Sequence, residues 1–170
     1  MSVVSMLFGC KCMQNVIGSK ENRKPQKENV MPEGRLLRMQ YSYSGMRLEY
    51  FSDYDLSRVL DDGSCKLSFR FRGNEVSFDA PDSLFDIARR IIEEEKMYQY
   101  GSFYGLSPEM ESGLLDGYSW RFSAEFEGNQ SLSSSGRHVS PEGKGLDKIK
   151  MLLFEAANDC IKKAGMMENN

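Results

Sequence analysis

The chain has 170 residues, of which 40% are apolar and 28% charged, and its formal net charge at pH 7 is −3. This composition fits one folded domain with residues to spare, and no run of about eighteen apolar residues predicts a membrane-spanning helix. Six of the 22 basic residues fall within residues 1–35, so the remainder is acidic, which argues against nucleic acid as a partner because phosphate binding needs clustered Lys and Arg.

The opening "MSVVSMLFGCKCMQN" places Leu7-Phe8-Gly9 directly before Cys10, in the manner of a lipoprotein cleavage box. A secretory signal also needs basic residues ahead of its apolar stretch. No Lys or Arg precedes Cys10, so the expected location is the cytoplasm. The alternative is a lipid-anchored cell-envelope protein acylated at Cys10, with the true start lying upstream. Cys10 and Cys12 offer two thiolates, too few to complete a tetrahedral metal site. From Gly18 to Glu33 the chain is polar, contains two prolines and lacks apolar periodicity, so it reads as a flexible linker. The expected organisation is a leader and linker over 1–33, one domain over 34–166 and a disordered C-terminus over 167–170.

Within the body, Leu37, Met39, Tyr41 and Tyr43 alternate with polar residues, as do Met46, Leu48 and Tyr50 after Ser44-Gly45; the two runs predict a hairpin. Asp62-Gly63 signals a second turn. Beyond it Cys65, Leu67, Phe69 and Phe71 share one strand face, and Lys66, Ser68, Arg70 and Arg72 the other. Gly73-Asn74 predicts a turn into a fourth strand, Glu75–Asp79. Ser83 with Asp86 resembles a capping box, and Leu84, Ile87, Ala88 and Ile91 recur at helical spacing. Glu93-Glu94-Glu95-Lys96 closes that helix as a solvated end, since adjacent helical carboxylates point about 100° apart and cannot converge on one ion.

Trp120, Phe122, Ala124 and Phe126 form the clearest alternation in the chain; Gly128-Asn129 turns it into a strand over Gln130–Ser135. A final helix starts near Gly145 with an apolar face of Leu146, Ile149, Leu152, Leu153, Ala156, Cys160 and Ala164. Strands followed by a helix, twice over, predict an α+β fold: an antiparallel sheet of about six strands with two helices on one face. Trp120, Phe122, Phe126, Leu67, Phe69, Leu152 and Ile149 are the expected core.

The stretch "LDGYSWRFSAEFEGNQSLSSSGRHVSP", with Ser44-Gly45-Met46 and Ile91–Tyr100 upstream, resembles a group of small bacterial proteins classed as a domain of unknown function, some of them lipoproteins. The resemblance spans about residues 34–165 and implies a shared fold but no activity. Many members carry Asn where this chain has Arg137-His138, so the pattern does not require the histidine.

One histidine excludes two-His zinc peptidase motifs, and no phosphate-cradling glycine motif occurs. Asp53, Asp55, Asp61 and Asp62 miss the calcium-loop spacing. No cofactor is expected. Ser134, Ser135 and His138 lie side by side, but the Gly-x-Ser-x-Gly elbow is absent and triads are normally assembled from distant segments. Serines at a strand end with Gly136 and Pro141 are accounted for by turn chemistry. The aromatic stretch "MYQYGSFYGL" supplies the candidate ligand or partner surface: Tyr98, Tyr100, Phe103 and Tyr104. The reading is a non-enzymatic binding or interaction module for a protein or small-molecule partner; the alternative is a hydrolase using Ser135 and His138.

Overall fold

The computed structural model describes residues 30–45, 51–59, 63–107 and 117–166. Cys10, Cys12, the linker up to residue 29, the run Met46–Tyr50, Asp61, Asp62 and the C-terminal residues 167–170 lie outside them.

Seven strands form one sheet: β1 (Leu36–Ser44), β2 (Phe51–Arg58), β3 (Cys65–Phe71), β4 (Asn74–Asp79), β5 (Phe103–Tyr104), β6 (Ser119–Phe126) and β7 (Gln130–Arg137), in the order β4-β3-β2-β1-β6-β7-β5. Helices α1 (Ser83–Glu94) and α2 (Gly145–Lys163) cover one face. The fold is α+β, as its patterning predicts. The sheet is mixed rather than wholly antiparallel, because the two-residue β5 pairs in parallel with β7. Two residues carry too little periodicity to announce a strand.

The parity of β1, β3, β4 and β6 follows the alternation in the sequence, whereas β2 lies beyond the run Met46–Tyr50 expected as its hairpin strand. Met39, Leu56 and Leu67 line up across β1, β2 and β3, and Tyr41 faces Phe122 across β1 and β6. All of these are buried on the helix face. Leu37 departs from the expected alternation. A register shift between Leu36 and Arg38 turns Leu36 into the core and leaves Leu37 half-buried. The turn between β3 and β4 is centred on Arg72-Gly73 rather than Gly73-Asn74, since Phe71 pairs with Asn74. Both turn residues have positive φ, 49° and 84°, the twist a two-residue hairpin demands, and Gly73 meets that demand without steric cost.

α1 begins without the expected capping box. Asp82 occupies the N-cap position, no side chain caps the helix, and the Asp82 carboxylate is turned toward the Arg58 guanidinium. Arg58 stands 4.1 Å over the Phe85 ring and donates to the Leu36 carbonyl at 3.0 Å. One cation thereby ties the ends of β1, β2 and α1 together. Glu95, expected at a solvated helix end, instead receives hydrogen bonds from the Lys148 ammonium and, at 3.4 Å, from the Lys144 amide at the start of α2. These bonds, Lys148 first, hold its carboxyl below the usual range. The packed body starts slightly before Gly34: Met31 lies against the core, and the Arg89 guanidinium donates to the carbonyls of Pro32, Glu33 and Gly34 at 3.3 Å.

The core is the expected one except at Leu152. Trp120, Phe122, Phe126, Leu67, Phe69 and Ile149 are buried, whereas Leu152 is half-buried. On α2 the line facing the sheet is Ile149, Leu153, Ala157 and Ile161; Leu152, Ala156 and Cys160 lie along its flank. No helix among the described residues is long and apolar enough to cross a membrane.

Candidate functional site

The aromatic loop does not form one surface. Tyr104 packs on Trp120 with ring centroids 5.9 Å apart and on Tyr100 at 6.4 Å. The Tyr104 hydroxyl accepts a hydrogen bond from the Gly101 amide at 2.9 Å. Tyr100 reaches the first residue of α2, where its hydroxyl abuts Gly145, and burial pushes its phenol above the ordinary range. These two rings pin the loop to the sheet; Phe103 is 65% exposed, and Tyr98, Tyr100 and Tyr104 are half-buried. Long loops need packing of their own, and these tyrosines supply it.

The serine–histidine stretch is likewise committed to structure. Ser134 and Ser135 are consecutive in β7, so their side chains leave opposite faces of the sheet. Ser134 is 2% exposed and its hydroxyl donates to the Gly101 carbonyl at 2.6 Å; the Ser135 hydroxyl donates to the Ser102 carbonyl at 3.3 Å. Both therefore fasten the β5 loop to β7. His138 has φ of 61°, its amide donates to the Tyr118 carbonyl at 2.9 Å, and its ring lies against Gly117.

Among the concavities of the described residues, none of which the sequence reading named, two bear on function. The first lies on the open sheet face. An extra residue in β2 between Ser52 and Asp55 gives Asp53 a φ of 53° and bends the strand, leaving a polar cleft of about 350 Å³. Arg38 Nε donates to both Asp55 oxygens at 3.0 and 3.1 Å, Gln40 donates to the same carboxylate at 3.0 Å, and Ser123 donates to the Gln40 oxygen at 3.3 Å. The hydrogen bond from Arg38 to Asp55 raises the guanidinium further above its ordinary range. The Asp55 carboxylate is thus saturated by its own neighbours, which leaves little of its hydrogen-bonding capacity for a ligand.

The second is an apolar groove of about 590 Å³ between α1 and α2. The helices meet where the end of α1 approaches the start of α2, through Glu95 and Lys148. Farther along, Leu84 and Ile87 of α1 stand across from Leu152, Ala156 and Cys160 of α2, above a floor of Leu67 and Phe78. Asp79, Glu155, Asp159 and Lys163 form its rim. Burial pushes the Cys160 thiol up, which disfavours the thiolate and so disfavours nucleophilic chemistry. The signal for the groove was present in the sequence: the apolar face of α2 is wider than contact with the sheet alone requires, and its surplus flank is Leu152, Ala156 and Cys160.

Among the described residues no group of three or more His, Cys, Asp or Glu side chains is placed to hold a metal ion. Comparison of the chain with protein-family models, with curated proteins and with solved structures found no match.

Proposed function

We propose that this protein is a non-catalytic binding module and that the groove between α1 and α2 is its seat. The carrying observation is an apolar groove of about 590 Å³ lined by apolar side chains from two helices and two strands. Concave, mostly apolar sites with a few polar groups at the rim are how folds of this size hold apolar ligands or side chains. The chemistry of the lining fits binding: it is mainly apolar, and burial pushes its one thiol, Cys160, up and away from the nucleophilic thiolate. The test is titration of the full chain with the neutral solvatochromic dye Nile red. Saturable, blue-shifted emission is expected, with loss of that signal in Ala156→Trp, which fills the groove, and in Ile87→Asp, which charges it. Circular dichroism identifies a variant that has failed to fold. A dye signal that is unsaturable, or unchanged in both folded variants, overturns the reading. Covalent labelling of Ser135 by a fluorophosphonate, dependent on His138, would establish the hydrolase instead.

A further inference from the structure

Away from the groove, the sheet ends asymmetrically. One edge is β5, only two residues long; the other is β4, six residues long, and among the described residues no strand pairs with it beyond β3. The hairpin fixes which backbone groups of β4 are used. Phe71 and Asn74 flank a two-residue turn and so form a hydrogen-bonded pair; the Ala80 amide bonding to the Cys65 carbonyl at 2.9 Å confirms the parity at the other end. Asn74, Val76 and Phe78 therefore bond inward to β3. The amides and carbonyls of Glu75, Ser77 and Asp79 point outward along about 14 Å of open edge.

The side chains of β4 state what such an edge accepts. On the helix face Val76 and Phe78 are half-buried, in contrast to their fully buried neighbours Leu67 and Phe69 on β3. On the open face stand Glu75, Ser77 and Asp79. Their inner partners on β3 are Arg70, Ser68 and Lys66, with Lys66 paired to Asp79 and the Ser68 and Ser77 hydroxyls 2.9 Å apart. β3 thus shows within the molecule which sequence complements β4: basic, small, basic on one face and apolar on the other. A second copy of this chain fits poorly. Antiparallel self-pairing centred on Ser77 would set each Glu75 opposite an Asp79, and like charges directly opposed in a ladder are destabilising.

We propose that β4 is a docking edge for an extended segment of a partner protein that alternates basic and apolar residues and adds to the sheet as an eighth, antiparallel strand. Its backbone takes up the outward amides and carbonyls of Glu75, Ser77 and Asp79. Its basic side chains face Glu75 and Asp79 while its apolar side chains cover Val76 and Phe78. Main-chain bonds supply affinity and the alternation supplies selectivity. This surface shares Phe78 and the rim residue Asp79 with the groove but does not depend on it.

The test uses a fluorescein-labelled heptapeptide, Lys-Leu-Ser-Phe-Arg-Phe-Arg, which repeats residues 66–72 of β3 and the turn after it, and a matched peptide with every basic residue replaced by Glu; fluorescence anisotropy is read against the full chain. Saturable binding of the basic peptide is expected, at least tenfold tighter than the acidic one and weakened by salt. In Glu75→Gln/Asp79→Asn that preference falls toward unity. In Ser77→Pro, which removes an outward amide and leaves the β3 ladder intact, affinity drops at least tenfold. Failure of the basic peptide to bind, equal binding of both peptides, or a preference unchanged in the neutralised variant overturns the proposal. Should Ser77→Pro not fold, the peptide pair and the neutralised variant decide. None of these readouts involves Nile red, so failure here leaves the groove reading standing and the reverse holds as well.

Discussion

Phe122 and Phe103 test the architecture through the same substitution in opposite surroundings. Phe122 sits in the middle of β6, between Tyr41 on β1 and Ser134 on β7, on the face under the helices, and is 1% exposed. Phe122→Ala removes on the order of 150–200 Å² of buried apolar surface, worth about 4–5 kcal/mol at about 25 cal/mol per Å². That lies within the range of about 3–5 kcal/mol observed when buried aromatics are cut to Ala. For a body of somewhat more than a hundred residues, each kcal/mol moves the melting temperature by about 3–5 °C, so a drop of about 10–20 °C is expected. Phe103 is 65% exposed, and Phe103→Ala should change stability by no more than about 0.5 kcal/mol. Thermal melts followed by circular dichroism, with urea titrations for the free energies, read both. A loss below about 1 kcal/mol at Phe122, or one above about 2 kcal/mol at Phe103, would show that the strand parity is wrong.

Gly136 is the place where β7 needs a missing side chain. An added Cβ would stand 2.4 Å from Trp120 Nε1 and 2.5 Å from the Val139 carbonyl, the two groups joined by a 2.8 Å hydrogen bond. Gly136→Ala should therefore cost about 1–3 kcal/mol and change the emission of the single tryptophan; wild-type stability and emission together would refute the close approach. The ion pair at the start of α1 gives a pH signature. The hydrogen bond from Arg58 lowers the Asp82 carboxyl in the folded protein, so its stabilising contribution is present above the unfolded-state value of about 3.9 and is lost as pH falls through the lower folded one. The stability difference between wild type and Asp82→Asn, followed by urea titration from pH 7 to pH 2, should stay constant above pH ~5 and shrink below pH ~4. A difference that does not vary with pH would mean the pair forms no such link.

The amino-acid sequence by itself determined the periodic parts of this protein. Alternation in Trp120–Phe126 and Cys65–Phe71 fixed which face each strand buries, because a strand's side chains leave opposite faces with a period of two and only one face lies under the helices. Helical spacing placed α1 and α2 for the same kind of reason. Local departures were beyond periodicity: the register shift at Leu36, the extra residue at Asp53 and the two-residue β5 answer to pairing with neighbouring strands of the sheet. The candidate sites belonged almost wholly to tertiary structure. Tyr100, Tyr104, Ser134 and Ser135 offer recognition or catalytic chemistry as residue types, yet the fold spends their rings and hydroxyls on holding the β5 loop. The same apolar face of α2 contains both core and groove, and no local pattern divides Leu153 from Leu152; that division depends on how far α1 and α2 stand apart above Leu67 and Phe78. Local periodicity measures how much apolar surface a helix carries, whereas the distance to its neighbour decides how much of that surface is left uncovered.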